Sequence, residues 1–167
     1  MANPALRSGA LADLFVRGLV TAAEPKFPHF VIRTQPRAER QVRDRLLAQG
    51  FEALYLKFLP NFLFTRFSPS QRLQIASIAG VHSIIGVAAQ PVAVDEKELD
   101  ALVRVAECRL RTAPAPFPAE GHPCLLRSGP LEGVSGRLTT TCQPPLFLLS
   151  LSVLQRCVSI PIETAWL

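Results

Sequence analysis

Pro114, Pro116 and Pro118 fall within five residues of one another, in the run Thr112-Ala-Pro-Ala-Pro-Phe-Pro118. A helix cannot run through that spacing, since each ring removes a backbone donor and clashes with the turn before it. The run predicts a stiff, extended spacer over 112–119. It also divides the 167-residue chain, because the patterning on its two sides differs. Ahead of it, strand-like and helix-like runs alternate; behind it, only strand-like runs remain. A chain of this length accommodates two small modules, each with a modest core.

Residues 1–27 read as an extension. Leu6, Ala10, Leu11, Leu14, Phe15 and Leu19 form a weak helical stripe that Pro25 and Pro28 stop. From there the order is legible over 28–111. Phe30 to Thr34 is a strand, and Pro36 opens a helix at a first-turn position, with Ala38, Val42 and Leu46 facing inward and Gly50 ending it. Phe51 to Leu56 is a second strand, and Phe58 to Phe67 a third, interrupted at Pro60-Asn61. Ser68-Pro69 caps a second helix that runs to about Ala79. Val81 to Val87 is a fourth strand, and Asp95 caps a last helix with Glu98 at the capping-box position. Leu99, Leu102, Val103 and Ala106 are its buried stripe. The fold class is therefore α+β: a split β-α-β four-stranded antiparallel sheet with helices on one side. Residues 120–167 hold short strands over 123–127, 137–141, 147–153 and 158–162, with turn chemistry in Gly129-Pro-Leu-Glu-Gly133, and predict a small, SH3-like β-barrel.

Charge is unevenly placed. Residues 29–72 carry eight Lys/Arg against three acids, while 73–119 carry four against five and 120–167 three against three. The overall +5 is thus local to one module. A localised positive field suits a polyanion, and a solvated helix face is the plainer alternative. The four cysteines lie far apart with no ligand spacing, which points to structural thiols in a reducing compartment and to no metal or cofactor. Arg7, Asp13 and Arg17 break any signal-peptide core, and no run reaches membrane-spanning length, so a soluble, cytoplasmic, monomeric protein without a membrane partner is expected. His29, His82 and His122 each stand alone, no acid pair shares a face, and the glycine run lacks a Gly-Lys-Ser/Thr ending. An enzyme is not expected.

Two constellations remain. In Phe58-Leu-Pro-Asn-Phe-Leu-Phe-Thr-Arg-Phe67, both faces of the strand are apolar, so Leu59, Pro60, Phe62 and Phe64 form either a partner surface or a strand buried on both sides. Arg37, Arg40 and Arg43 recur every three residues, with Arg33 just ahead. Such a row of guanidinium groups suits phosphate contact, or else solubilises a helix paired with Glu39 and Asp44.

Five motifs in order resemble the NusG-type transcription elongation factors. Arg33-Thr-Gln-Pro-Arg-Ala-Glu39 resembles the opening of their N-terminal domain, and Gly50-Phe-Glu52 the end of its first helix. Leu59-Pro-Asn-Phe-Leu-Phe64 stands where that family has Phe-Pro-Gly-Tyr-Leu/Val-Phe, Ala79-Gly-Val81 where it has Pro-Gly-Val, and Gln90-Pro-Val92 precedes the last helix. The tail is similar to the family's KOW module, with Gly121, Gly129, Pro130, Gly133 and Gly136 at its motif positions. The resemblance implies a partner in RNA polymerase, bound through Leu59, Pro60, Phe62 and Phe64. It implies that Arg33, Arg37, Arg40 and Arg43 face the backbone of DNA in the elongation complex. It implies a KOW barrel that recruits a ribosomal protein or a termination factor. The near-absent insertion at Leu56-Lys-Phe58, Asn61 for the family glycine, Phe62 for its tyrosine and His29 for its common Trp or Tyr resemble specialised paralogues. An RNA-binding protein of ribosomal or RRM-like type, stacking bases on Phe62 and Phe64, is the competing expectation.

Overall fold

The computed structural model describes residues 27–167. The expected extension over 1–27 therefore lies, but for Phe27, outside the described residues. The chain divides into two compact units, Met1–Val94 and Asp95–Leu167.

The first unit is built on a three-stranded antiparallel sheet. Strands β1 (His29–Thr34), β2 (Phe62–Arg66) and β3 (Val81–Ile84) lie in the order β2-β1-β3. Helix α1 spans Glu39–Ala48. It starts three residues later than Pro36 suggested, because Arg37 sits at φ 62, a left-handed conformation no α-helix can include. Its end is a Schellman turn. Gly50 takes φ 84 and donates to the Leu47 carbonyl, and Phe51 donates back to the Leu46 carbonyl. That turn swings Phe51 into the same core as Val42 and Leu46, together with Ile32, Leu63 and Phe67.

The expected second strand contracts to a single bridge, in which Leu54 and Phe64 exchange backbone hydrogen bonds of 2.9 Å. Beyond it the Leu59 N–H closes a turn onto the Leu56 carbonyl, which takes the chain off the ladder. The four-stranded sheet expected from the sequence is thus three strands and one bridge. Ser68 does precede the next helical segment, where its N–H donates to Gln71 Oε1 at 2.9 Å. That segment is a 3₁₀ turn, Pro69–Gln71, running into a short helix α2, Arg72–Ala76. The strand expected over 81–87 breaks at Ile85. Gly86 then enters a two-residue hairpin of β4 (Gly86–Val87) and β5 (Gln90–Pro91).

The second unit opens with helix α3, Glu96–Glu107. Asp95 caps it, accepting from the Lys97 N–H at 2.9 Å. Glu98 does not complete the capping box; its oxygens take the Ser152 N–H and hydroxyl instead, at 2.9 and 2.6 Å. Strands β6 (Ala113–Ala115), β7 (His122–Leu125), β8 (Ser135–Thr139), β9 (Leu146–Leu151) and β10 (Arg156–Pro161) make one antiparallel sheet in the order β6-β10-β9-β8-β7.

Three expectations are corrected here. The proline run is not a spacer: β6 pairs with β10, Pro114 opposite Val158. An edge strand tolerates proline because only one of its sides is bonded. The unit boundary falls at Val94/Asp95 and not in 112–119, so α3 belongs to the second unit and not to a 28–111 module. The ladder also leaves β6 and β7 as edges, so it describes an open five-stranded sheet where a closed barrel was expected. Phe147, Leu149, Leu151, Val158, Ile160 and Ile162 form its buried interior.

Candidate functional site

The register of the first sheet decides what its outer face can do. Opposed residues on antiparallel strands share a face. Arg33 is opposite Phe62 on one side and Ser83 on the other. The next row on that face is Val31 opposite Phe64, both fully buried. The row after that is His29 opposite Arg66, where Glu52 lies 3.4 Å from His29 Nε2 and 3.3 Å from Arg66 Nε. The face is therefore graded: a polar, buried end, an apolar middle, and an accessible rim at Arg33 and Phe62.

This grading corrects the apolar strip read from the sequence. Phe64 and Leu59 are buried and are not available to a partner. Over Leu63 and Phe64, β2 is buried on both sides, the plainer of the two readings of its apolar pattern. What stays accessible is Pro60, which is exposed, and Phe62, which is half-buried.

The turn that presents them is pinned by two hydrogen bonds at Asn61. Asn61 adopts φ 69, which asparagine tolerates better than most residues. Its carbonyl accepts the Thr34 N–H at 2.8 Å, and its own N–H donates to Glu39 Oε1 at 2.9 Å. Gln35 N–H in turn donates to the Gly80 carbonyl at 2.8 Å. The β1–α1 connection, the Pro60-Asn61 turn and the entry to β3 are thereby held at one end of the unit.

The arginines are distributed around that end. Arg33 is exposed at the rim of β1, and Arg37 is exposed in the left-handed connection, outside the helix. The expected three-residue row along the helix is thus broken at its first member. Arg40 is exposed on the first turn of α1, and Arg43 is half-buried, with Nε 3.1 Å from Asp44 Oδ1.

Tyr55 joins them, a residue the sequence reading passed over. Burial pushes its hydroxyl above the ordinary phenol value, Glu39 adds to the rise, and Arg40 and Arg43 oppose it. Tyr55 is the chain's single tyrosine, and its place between Leu54 and Leu56 was the available signal.

The glycine motif lies in the second unit. Gly121 precedes β7, Gly129, Pro130 and Gly133 form the β7–β8 connection, and Gly136 is in β8. Gly129 has φ 83, and a Cβ there would meet the Trp166 ring at 2.8 Å. The Trp166 carbonyl accepts the Arg127 N–H at 2.9 Å, so the chain's single tryptophan lies across this turn. Among the described residues, no group of three or more His, Cys, Asp or Glu could hold a metal ion. No described helix is long and apolar enough to cross a membrane.

No family model matches the chain, and no curated protein does. Among solved structures the chain is similar to one described as "Domain interaction in Thermotoga maritima NusG", with 15% sequence identity and a TM-score of 0.54. The match covers 84% of this chain and 96% of that one. At that identity the likeness is one of fold, and the fold of this chain is NusG-like.

Proposed function

We propose that this protein is a transcription elongation or antitermination factor that binds RNA polymerase through its first unit. The observation that carries this is the Arg33–Phe62 pair on the accessible rim of the sheet. It sets a half-buried aromatic ring beside the exposed Arg33, with Pro60 exposed in the turn ahead of it and Arg37 and Arg40 exposed in the connection and helix that follow β1. An apolar contact flanked by guanidinium groups suits a protein subunit lying next to a nucleic-acid backbone. The NusG-like fold and the five sequence motifs support the same reading. The polymerase contact is thereby narrowed from four residues to Pro60 and Phe62. In this reading the KOW-like second unit recruits a further partner, such as a ribosomal protein or a termination factor, and the protein acts in the bacterial cytoplasm on selected operons.

The test is co-purification of RNA polymerase with the tagged chain, repeated with Phe62→Ala. Retention of the polymerase by a folded Phe62→Ala protein would remove the contact assigned here. The same rim could stack a single-stranded RNA base on Phe62 beside Arg33. Tight filter binding of single-stranded RNA without polymerase would favour that second reading.

A further inference from the structure

We infer that the groove between α3 and strands β8 and β9 takes an acidic, extended peptide segment of a partner protein. The inference deepens the second-partner half of the proposed function. Its test contains no polymerase, so the two can fail separately.

The groove has a volume of about 690 Å³. Ala101, Val134, Leu148 and Leu149 give it an apolar floor. Its rim carries three cations, Lys97 and Arg104 from α3 and Arg137 from β8. Two acids also line it, but they are not equivalent. Both oxygens of Glu98 are taken by Ser152, at 2.9 and 2.6 Å, which leaves Asp100 as the acid without such bonds. The guanidinium groups are held in place by one donor each. Arg104 donates to the Glu132 carbonyl at 2.7 Å and Arg137 to the Gly121 carbonyl at 2.8 Å. A guanidinium has five N–H donors in a fork that matches a carboxylate, so most of each fork remains to meet a ligand.

The groove therefore offers carboxylate partners around an apolar trough, which fits acidic residues interspersed with apolar ones. Capture by strand addition is disfavoured in the same unit. Both edge strands carry a proline, Pro114 in β6 and Pro123 in β7, and an edge with a missing donor templates a new strand poorly. A partner segment gains more from these side chains than from the sheet edges.

The test uses the full chain and a labelled soluble peptide of Glu and Asp interspersed with Leu. Its counterpart has Lys at every acid, and a labelled oligothymidine is the third probe. Saturable binding of the acidic peptide is expected, weakened by added salt, with no saturable binding of the Lys peptide. The double variant K97E/R137E alters two exposed side chains and is expected to weaken binding roughly tenfold or more. R33E/R40E, in the first unit, is expected to leave it unchanged. Should K97E/R137E not fold, K97Q/R137Q replaces it, with a smaller weakening expected. Undiminished binding by a folded charge variant, or equal binding of the Lys peptide, overturns the proposal. Displacement of the acidic peptide by oligothymidine at lower concentration assigns the groove to nucleic acid and overturns it as well.

Discussion

The Glu39 carboxylate accepts the Asn61 backbone N–H at 2.9 Å, joining two points 22 residues apart in the chain. Glu39 is the first residue of α1 and is largely buried. Asn61 forms the turn that presents Pro60 and Phe62. One hydrogen bond thus ties the start of the basic helix to the tip of the aromatic strand. Glu39→Ala leaves a part-buried N–H without its acceptor and removes a charge-assisted bond. The expected loss is about 1–3 kcal/mol in urea denaturation, and Glu39→Gln, which keeps an acceptor, should lose less.

Phe62 and Phe64 should separate sharply, though two residues apart on the same strand face. Phe64→Ala opens a cavity in a fully buried position and should cost about 3–5 kcal/mol. Phe62→Ala removes a half-buried ring and should cost about 1 kcal/mol, while abolishing polymerase retention. Melting curves and pull-downs on the two variants read both effects.

Tyr55 gives a clean titration, because it is the single tyrosine. Its phenolate absorbance should rise with a midpoint above 10.0. Burial is the first cause, so Glu39→Gln lowers the midpoint only in part, and removal of Arg40 raises it. The folded-state value is raised above the unfolded one. The contribution to stability is therefore fully present below about pH 10 and is lost as pH rises through the folded value. Tyr55→Phe should flatten that part of the stability profile.

The β4–β5 hairpin turns on Ala88 and Ala89, at φ 50 and φ 63. Two successive left-handed residues suit Asn-Gly, and alanine is strained in each. Ala88→Asn with Ala89→Gly should stabilise the protein by about 1–2 kcal/mol. An unchanged or lower melting temperature would count against the turn described.

Gly129→Ala combines a left-handed φ of 83 with a methyl group 2.8 Å from the Trp166 ring. It should destabilise by about 1–3 kcal/mol and shift Trp166 emission to the red as the ring is displaced.

Much of the local structure was legible. The 3.6 period of Val42 and Leu46, the glycine at position 50 and the cap at Asp95 are short-range signals, and α1 and α3 appear where they point. Alternation of apolar residues similarly located β9 and β10. Asn61 tolerated the turn as its side chain suggested. The failures share one cause. Proline spacing says that a segment is extended, but not whether a neighbouring strand is there to pair with it, and β10 was there for Pro114. An apolar strand says that it is greasy on both faces, but not which positions a neighbour covers, and Leu59 and Phe64 proved to be inside.

The sequence by itself determined where helices and extended segments lie, where the positive charge gathers and which residues turn the chain. Those properties follow from steric preference and polarity within a few neighbouring residues. The tertiary structure alone decided that Phe62 is reachable while Phe64 is not, that Glu39 holds Asn61, and that α3 packs with the second sheet. Each of these depends on contacts between residues far apart in the chain, which no local pattern of side chains encodes.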